Sequence, residues 1–234
     1  MEHEYILINR WNCDEQFTEE RKEQFKKLFI ESFPNDDERE EPVDIISRIK
    51  TPSRGVYSII LLVFNSENNE VIGAAVGDKY FDTKLSEIIY IFVKKDCRKT
   101  GIGSEMCGVF LSILGGTALI EVEDPEKQQP DCRQEMPLEE RIKFYEKFGI
   151  EDCVKNYYQP PLSEGKKWAN NLKLCSIGKK TDNSEIARFL HSFYRGLGYE
   201  ENETGKEILA KMTWELLGDV LKWKPISQAR LLSI

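Results

Sequence analysis

Short apolar runs of strand length are interleaved along this chain with stretches in which apolar residues recur every three or four positions. "YILIN" (5–9) reads as a first strand. A helix is predicted from Asp14 to about Phe33, because Phe17, Phe25, Leu28, Phe29 and Phe33 share one face. The charged segment "PNDDEREEP" (34–42) predicts an exposed loop, and "EPVDIISRIK" a short helix stopped by Thr51-Pro52, since the residue before proline disfavours helical geometry. Two β-rich runs, 55–65 and 70–81, flank the turn-forming Ser66-Glu67-Asn68-Asn69 and predict a hairpin. "EIIYIFVKK" (87–95) predicts a fourth strand. A helix over 102–114 presents Ile102, Met106, Val109, Phe110 and Ile113 on one side and stops at Gly115-Gly116, and "TALIEVE" (117–123) predicts a fifth strand.

Beyond a polar loop, Leu138, Ile142 and Tyr145 form one stripe of a helix over 138–148. Strands are expected at 153–159 and 171–178, on either side of the proline-rich "PPLSEGK". From Lys179 the pattern becomes purely helical, with Ile186, Phe189, Leu190, Phe193 and Leu197 aligned. A hairpin followed by interleaved helices and strands predicts an α+β fold: a mixed, mostly antiparallel sheet with helices on both faces. The chain divides into a domain over 1–178 and a helical extension over 179–234.

Composition narrows the function classes. Of 234 residues, 40% are apolar and 32% charged, as in a folded globular protein and unlike a disordered or fibrous one. The first 30 residues are too polar for a signal peptide, and no apolar run reaches the roughly 18 residues of a membrane span, so a cytoplasmic location without a membrane partner is expected. Six cysteines without C-x-x-C spacing and only two histidines argue for free thiols and against a metal site. A net charge of −8 repels polyphosphate backbones and favours a cationic amine over nucleic acid as partner.

The densest local signal is "IIYIFVKKDCRKTGIGSEM" (88–106). Here an apolar strand, a basic turn and a helix start are packed together. Gly101 and Gly103 permit a tight turn and close approach of a ligand. The helix that follows directs unpaired N–H groups and its positive dipole end at the same place, and Arg98 and Lys99 add charge, so the turn suits a diphosphate. A nucleotide P-loop would require lysine after the last glycine, and a dinucleotide turn a third glycine where Met106 stands. Taken alone, the turn is also compatible with a plain strand-to-helix connection.

In its wider setting the segment resembles the signature of the GNAT acetyltransferase superfamily. That signature is an apolar strand, a spacer, then Arg/Gln-x-x-Gly-x-Gly/Ala opening a helix, here "IFVKKDCRKTGIG". "RIKFYEKFGI" (141–150) is similar to the family's later helix, and "YYQPPLSEGK" resembles a bacterial subgroup of unassigned substrate. The likeness covers roughly residues 5–178. Lys95 replaces a frequent proline, and Ile150 replaces the usual aromatic after Gly149.

The resemblance implies acetyl-CoA as acyl donor, without a metal, and a primary amine of a small molecule or peptide as acceptor. It places the diphosphate on the backbone of Arg98, Lys99, Thr100, Gly101, Ile102 and Gly103, with the Ser104 hydroxyl in reach, and the pantetheine arm along Ile91, Phe92 and Val93. It also implies that the fourth and fifth strands splay apart to admit the thioester. Tyr145 matches the tyrosine that protonates the leaving thiolate in many relatives.

A charged amine must lose a proton before it attacks, and a carboxylate is the natural acceptor. Alternation puts Glu121 and Glu123 on one face of the fifth strand, opposite Ile120 and Val122, and Glu121 is preferred as base over Glu123 and Glu87. Glu87, Glu123, Tyr157 and Tyr158 are candidate acceptor-binding groups. A non-catalytic acyl-CoA-binding or interaction module is the alternative function, and the helical extension is open to three readings, a substrate-side cover, a lid or a homodimer contact.

Overall fold

The computed structural model describes residues 2–36, 39–127, 137–154, 156–162 and 165–221. The elements are β1 (His3–Ile8), α1 (Cys13–Gln16), α2 (Glu19–Ser32), α3 (Pro42–Lys50), β2 (Val56–Asn65), β3 (Val71–Tyr80), β4 (Ser86–Val93), α4 (Ile102–Ile113), β5 (Thr117–Glu123), α5 (Leu138–Glu146), β6 (Glu151–Val154), β7 (Leu172–Gly178), α6 (Asn183–Gly196) and α7 (Glu203–Leu221). One seven-stranded sheet runs β1-β2-β3-β4-β5-β7-β6. Every neighbouring pair is antiparallel except β4 and β5. The α+β architecture with a mixed, mostly antiparallel sheet is therefore as expected.

Alternation along the strands builds a core on each face. On one face α4 and α5 cover Ile59, Leu61, Ala75, Ile88, Ile120 and Ile177. On the other, α2 and α3 cover Ile60, Leu62, Ala74, Val76, Tyr90 and Phe92. The C-terminal helices α6 and α7 continue that second layer, packing on Val56, Tyr80, Leu119 and Leu174. Residue 178 is therefore followed by helices that share a packed core with the sheet. Asp182 caps α6, accepting from the N–H groups of Ser184 (2.8 Å) and Glu185 (3.0 Å).

Two predicted elements differ. The helix expected over 14–33 is broken at Phe17-Thr18: Phe17 is buried and the Thr18 hydroxyl caps α2, a local bond that outcompetes helix continuation. The strand expected over 153–159 ends at Val154, because Tyr157 turns inward to a buried carboxylate instead of staying in the ladder. Cys132, one of the cysteines expected to be free, lies outside the described residues; the other five are unpaired. No described helix is long and apolar enough to cross a membrane.

One irregularity positions the site. Across β3 and β4, Val76 pairs with Tyr90 but Gly77 pairs with Ile88, leaving Ile89 without a partner. This β-bulge reverses the facing of everything before it on β4. Glu87 would otherwise share a face with Ile91 and Val93; instead it joins Asp78, its direct cross-strand partner, on the α2/α3/α6 face. Gly77 accommodates the distortion, since a Cβ there would sit 2.7 Å from the Glu87 carbonyl oxygen.

Candidate active site

β4 and β5 touch at a single register pair, Glu87 with Leu119, and diverge beyond it. The splay leaves the β5-facing edge of β4 without a ladder partner from Ile88 to Val93. A cavity of about 1690 Å³ passes through the gap, lined from the α4/α5 face by Gly101, Gly103, Ser104 and Tyr145 and from the opposite face by Asp78, Glu87 and Glu121.

On the α4/α5 face the ligand-facing groups are mainly backbone. A 3₁₀ turn, Lys95–Cys97, leads into Lys99 and Gly101, both at positive φ (64° and 97°). Gly101 is the N-cap of α4 and supplies no side-chain cap, so the first N–H groups of the helix remain directed at the turn. A Cβ at Gly101 would meet nothing within 4 Å, so the position is open to a ligand. The Thr100 hydroxyl donates to the Cys97 carbonyl (2.7 Å) and braces the turn. Arg98 Nε donates to the Val93 carbonyl (3.0 Å), which fixes the turn to the end of β4. Ile91, Phe92, Val93, Arg98 and Lys99 line the cavity. Ile102 is buried in the core, so only its backbone belongs to the turn.

Tyr145, from α5, packs partly against the core while lining the cavity, and its hydroxyl has no hydrogen-bond partner among the described residues. Burial, with smaller contributions from Cys107 and Glu123, pushes its phenol up, so it stays protonated; Arg141 opposes this weakly. Arg141, one helical turn earlier, holds Glu123 in a 2.6 Å ion pair. Glu123 is therefore already engaged.

The opposite face is acidic and buried. Glu121 accepts from the Tyr157 hydroxyl and the Gln159 amide. Burial pushes its carboxyl up to about 7, offset in part by those two hydrogen bonds. Glu87, 3% exposed, accepts from the Tyr80 hydroxyl at 2.8 Å, and burial followed by the Glu121 charge drives its carboxyl well above the usual range. Next to it Asp78 accepts from Ser58 (2.6 Å) and from Arg48 (3.2 Å), and Arg48 also forms a two-pronged pair with Glu40. Desolvation raises Glu40 as well, against the opposing pull of Arg48.

The structure thus brings Tyr145, Glu121, Glu87 and the turn into one cavity. Tyr157 and Tyr158, expected beside the acceptor, are not on the cavity lining. Tyr157 is fully buried behind Glu121, and Tyr158 offers its carbonyl to the Tyr194 hydroxyl (2.7 Å); neither lines the cavity. Sequence reasoning missed Glu40, Arg48, Asp78, Tyr80 and Gln159. A carboxylate at Asp78, in register with inward-facing Ala74 and Val76 of an apolar strand, was the one available signal. It also left the role of the C-terminal helices open, whereas Phe193, Gly196 and Leu197 at the end of α6 form part of the cavity wall.

A protein from Bacteroides thetaiotaomicron assigned to the GNAT family superposes with a TM-score of 0.58 at 21% identity, covering 82% of this chain and 98% of that one. The ribosomal-protein-S18-alanine N-acetyltransferase of Escherichia coli gives a TM-score of 0.48 at 11% identity, over 77% and 96% of the two chains. No curated protein matches the sequence. The profile of the acetyltransferase (GNAT) family matches residues 22–150, more than half of the chain, and with the splayed β4/β5 pair and its glycine turn in place the protein belongs to the GNAT acetyltransferases.

Proposed function

We propose that the protein transfers an acetyl group from acetyl-CoA directly to a primary amine, with Glu121 as base and Tyr145 as acid. The observation that carries this reading is the single cavity that joins the anion-binding turn and an unpaired tyrosine hydroxyl on one face of the sheet to a tuned carboxylate on the other. The N–H groups at the start of α4 and the backbone from Arg98 to Ser104 suit a diphosphate, and the unpaired edge of β4 at Ile91–Val93 suits an amide-bearing arm. Bound there, acetyl-CoA supplies an activated thioester.

The residues then have separate tasks. Glu121, with a pKa near neutrality, removes a proton from the incoming ammonium, directly or through a water. Unpaired β4 N–H groups stabilise negative charge on the acyl oxygen. Tyr145, held neutral, donates a proton to the departing sulfur. Glu123, paired with Arg141, keeps that guanidinium near the phenol. The base and acid are thereby separated by the sheet itself, so neither quenches the other.

Free thiol released from acetyl-CoA in the presence of a panel of amines tests the reading. Wild type is expected to release thiol with at least one amine, and Tyr145→Phe to bind coenzyme A with unchanged affinity but turn over about 100-fold more slowly. Binding of coenzyme A without thiol release for any amine would instead establish a non-catalytic acyl-CoA-binding module.

A further inference from the structure

The acidic face holds more carboxylate than a monoamine requires. Asp78, Glu87 and Glu121 stand on three adjacent strands of one face, with Glu40 reaching in from the loop before α3. Arg48 is the guanidinium in salt-bridge contact with this group, and it is consumed by Glu40 and Asp78. Glu121 takes one donor on each oxygen and keeps lone pairs for a proton.

Glu87 is different. It has no ion-pair partner among the described residues, and only its Oε2 is hydrogen-bonded, to Tyr80. Its Oε1 has no partner among the described residues and lies on the cavity lining of an otherwise buried residue, placed to take a proton or an ammonium from the cavity.

We infer that the acceptor is an aliphatic diamine, one nitrogen of which is acylated beside Glu121 while the other, as an ammonium, is held by Glu87. The inference rests on the acyl-transfer reading above and narrows its substrate class. Glu87 is level with Leu119, and Glu121 lies two residues farther along β5. One strand spacing across and two residues along amount to about 8 Å between the two Cα positions. A chain of about four or five methylenes spans that distance. The cavity that holds both carboxylates is also lined by Ile89 and Tyr80, whose apolar surface accepts methylenes without loss of hydrogen bonds.

The chemistry balances with the groups present. The reacting ammonium gives one proton to Glu121, its nitrogen forms the bond to the acyl carbon, the carbon–sulfur bond breaks as Tyr145 protonates the sulfur, and the second proton that the nitrogen sheds on becoming an amide returns through water to the Tyr145 phenolate while Glu121 releases its own to solvent. The distal ammonium keeps its charge throughout, and the products are a mono-acylated diamine and coenzyme A.

The test compares kcat/KM for 1,4-diaminobutane, 1,5-diaminopentane, n-butylamine, 4-aminobutanol and a lysine-containing peptide, at fixed acetyl-CoA. A diamine is expected to exceed both the monoamine and the amino alcohol by about 30-fold. Glu87→Gln, checked for coenzyme A binding by calorimetry, is expected to reduce that ratio to within about threefold. Equal values for diamine and monoamine, or the peptide as the best acceptor, would overturn the inference and leave the acyltransferase reading standing. Turnover of none of the amines despite coenzyme A binding would overturn both. If Glu87→Gln fails to fold, the wild-type ratio alone decides.

Discussion

On the α4/α5 face the groups offered to a ligand belong mostly to the main chain; on the opposite face they are side chains drawn from five separate segments. The first kind of site is generic, since any sequence with the right turn presents the same N–H groups to a diphosphate. The second is particular, because each carboxylate was placed by a different element: Glu40 by a loop, Asp78 by β3, Glu87 by the bulged β4 and Glu121 by β5, with Arg48 from α3 between two of them. Under the proposed function, the shared donor is recognised by backbone and the acceptor by side chains.

Substitutions break this division unequally. The largest expected effect is at Glu121, where Gln removes the proton acceptor; kcat/KM is expected to fall about 1,000-fold with coenzyme A affinity unchanged, measured by thiol release and calorimetry. Tyr145→Phe follows, with the roughly 100-fold loss in kcat given above. Gly101→Val attacks the backbone site instead: a β-branched residue is strained at φ 97°, and coenzyme A is expected to bind about 30-fold more weakly while the intrinsic acidity of the Glu121 side is unaltered.

Smaller effects sharpen the picture through pH. With Glu121 as the proposed base and burial raising its pKa to about 7, kcat/KM is expected to rise as pH climbs through neutrality. The Tyr157 hydroxyl stabilises the ionised form, so Tyr157→Phe is expected to move that rise upward by about one pH unit. Stability has the opposite sign. A folded-state carboxyl pKa raised above its ordinary 4.5 contributes stability that is complete below that value and is lost as pH rises through about 7. Thermal melts from pH 5 to 8 are expected to show a falling Tm for wild type and a shallower fall for Glu87→Gln.

What was readable beforehand follows the same division. The turn over 98–104 was legible because its chemistry is local: two glycines, a preceding strand and a following helix lie within a few residues of each other. The place of Tyr145 on the cavity wall was legible through the motif around it, and that of Glu121 through its strand, whereas the pairing of Glu123 with Arg141 of α5 was not. Alternation failed on β4, where an unpaired Ile89 shifts the register, and no periodicity reports such a residue. The acidic network escaped because its members are far apart in the chain: Arg48 pairs with Asp78 across thirty positions, and Gln159 reaches Glu121 across thirty-eight. The inward turn of Tyr157 was hidden for a related reason, since the attraction of a buried carboxylate outweighs the strand tendency of a tyrosine pair.

The unpaired isoleucine in β4 makes the acceptor chamber a matter of chain length as much as of residue type. Shortening the strand by that one position would send the Glu87 carboxylate through to the oily side beneath α4 and expose Ser86 in its stead. A protein with the same coenzyme turn, the same tyrosine and nearly the same letters would then have lost its grip on a second positive charge.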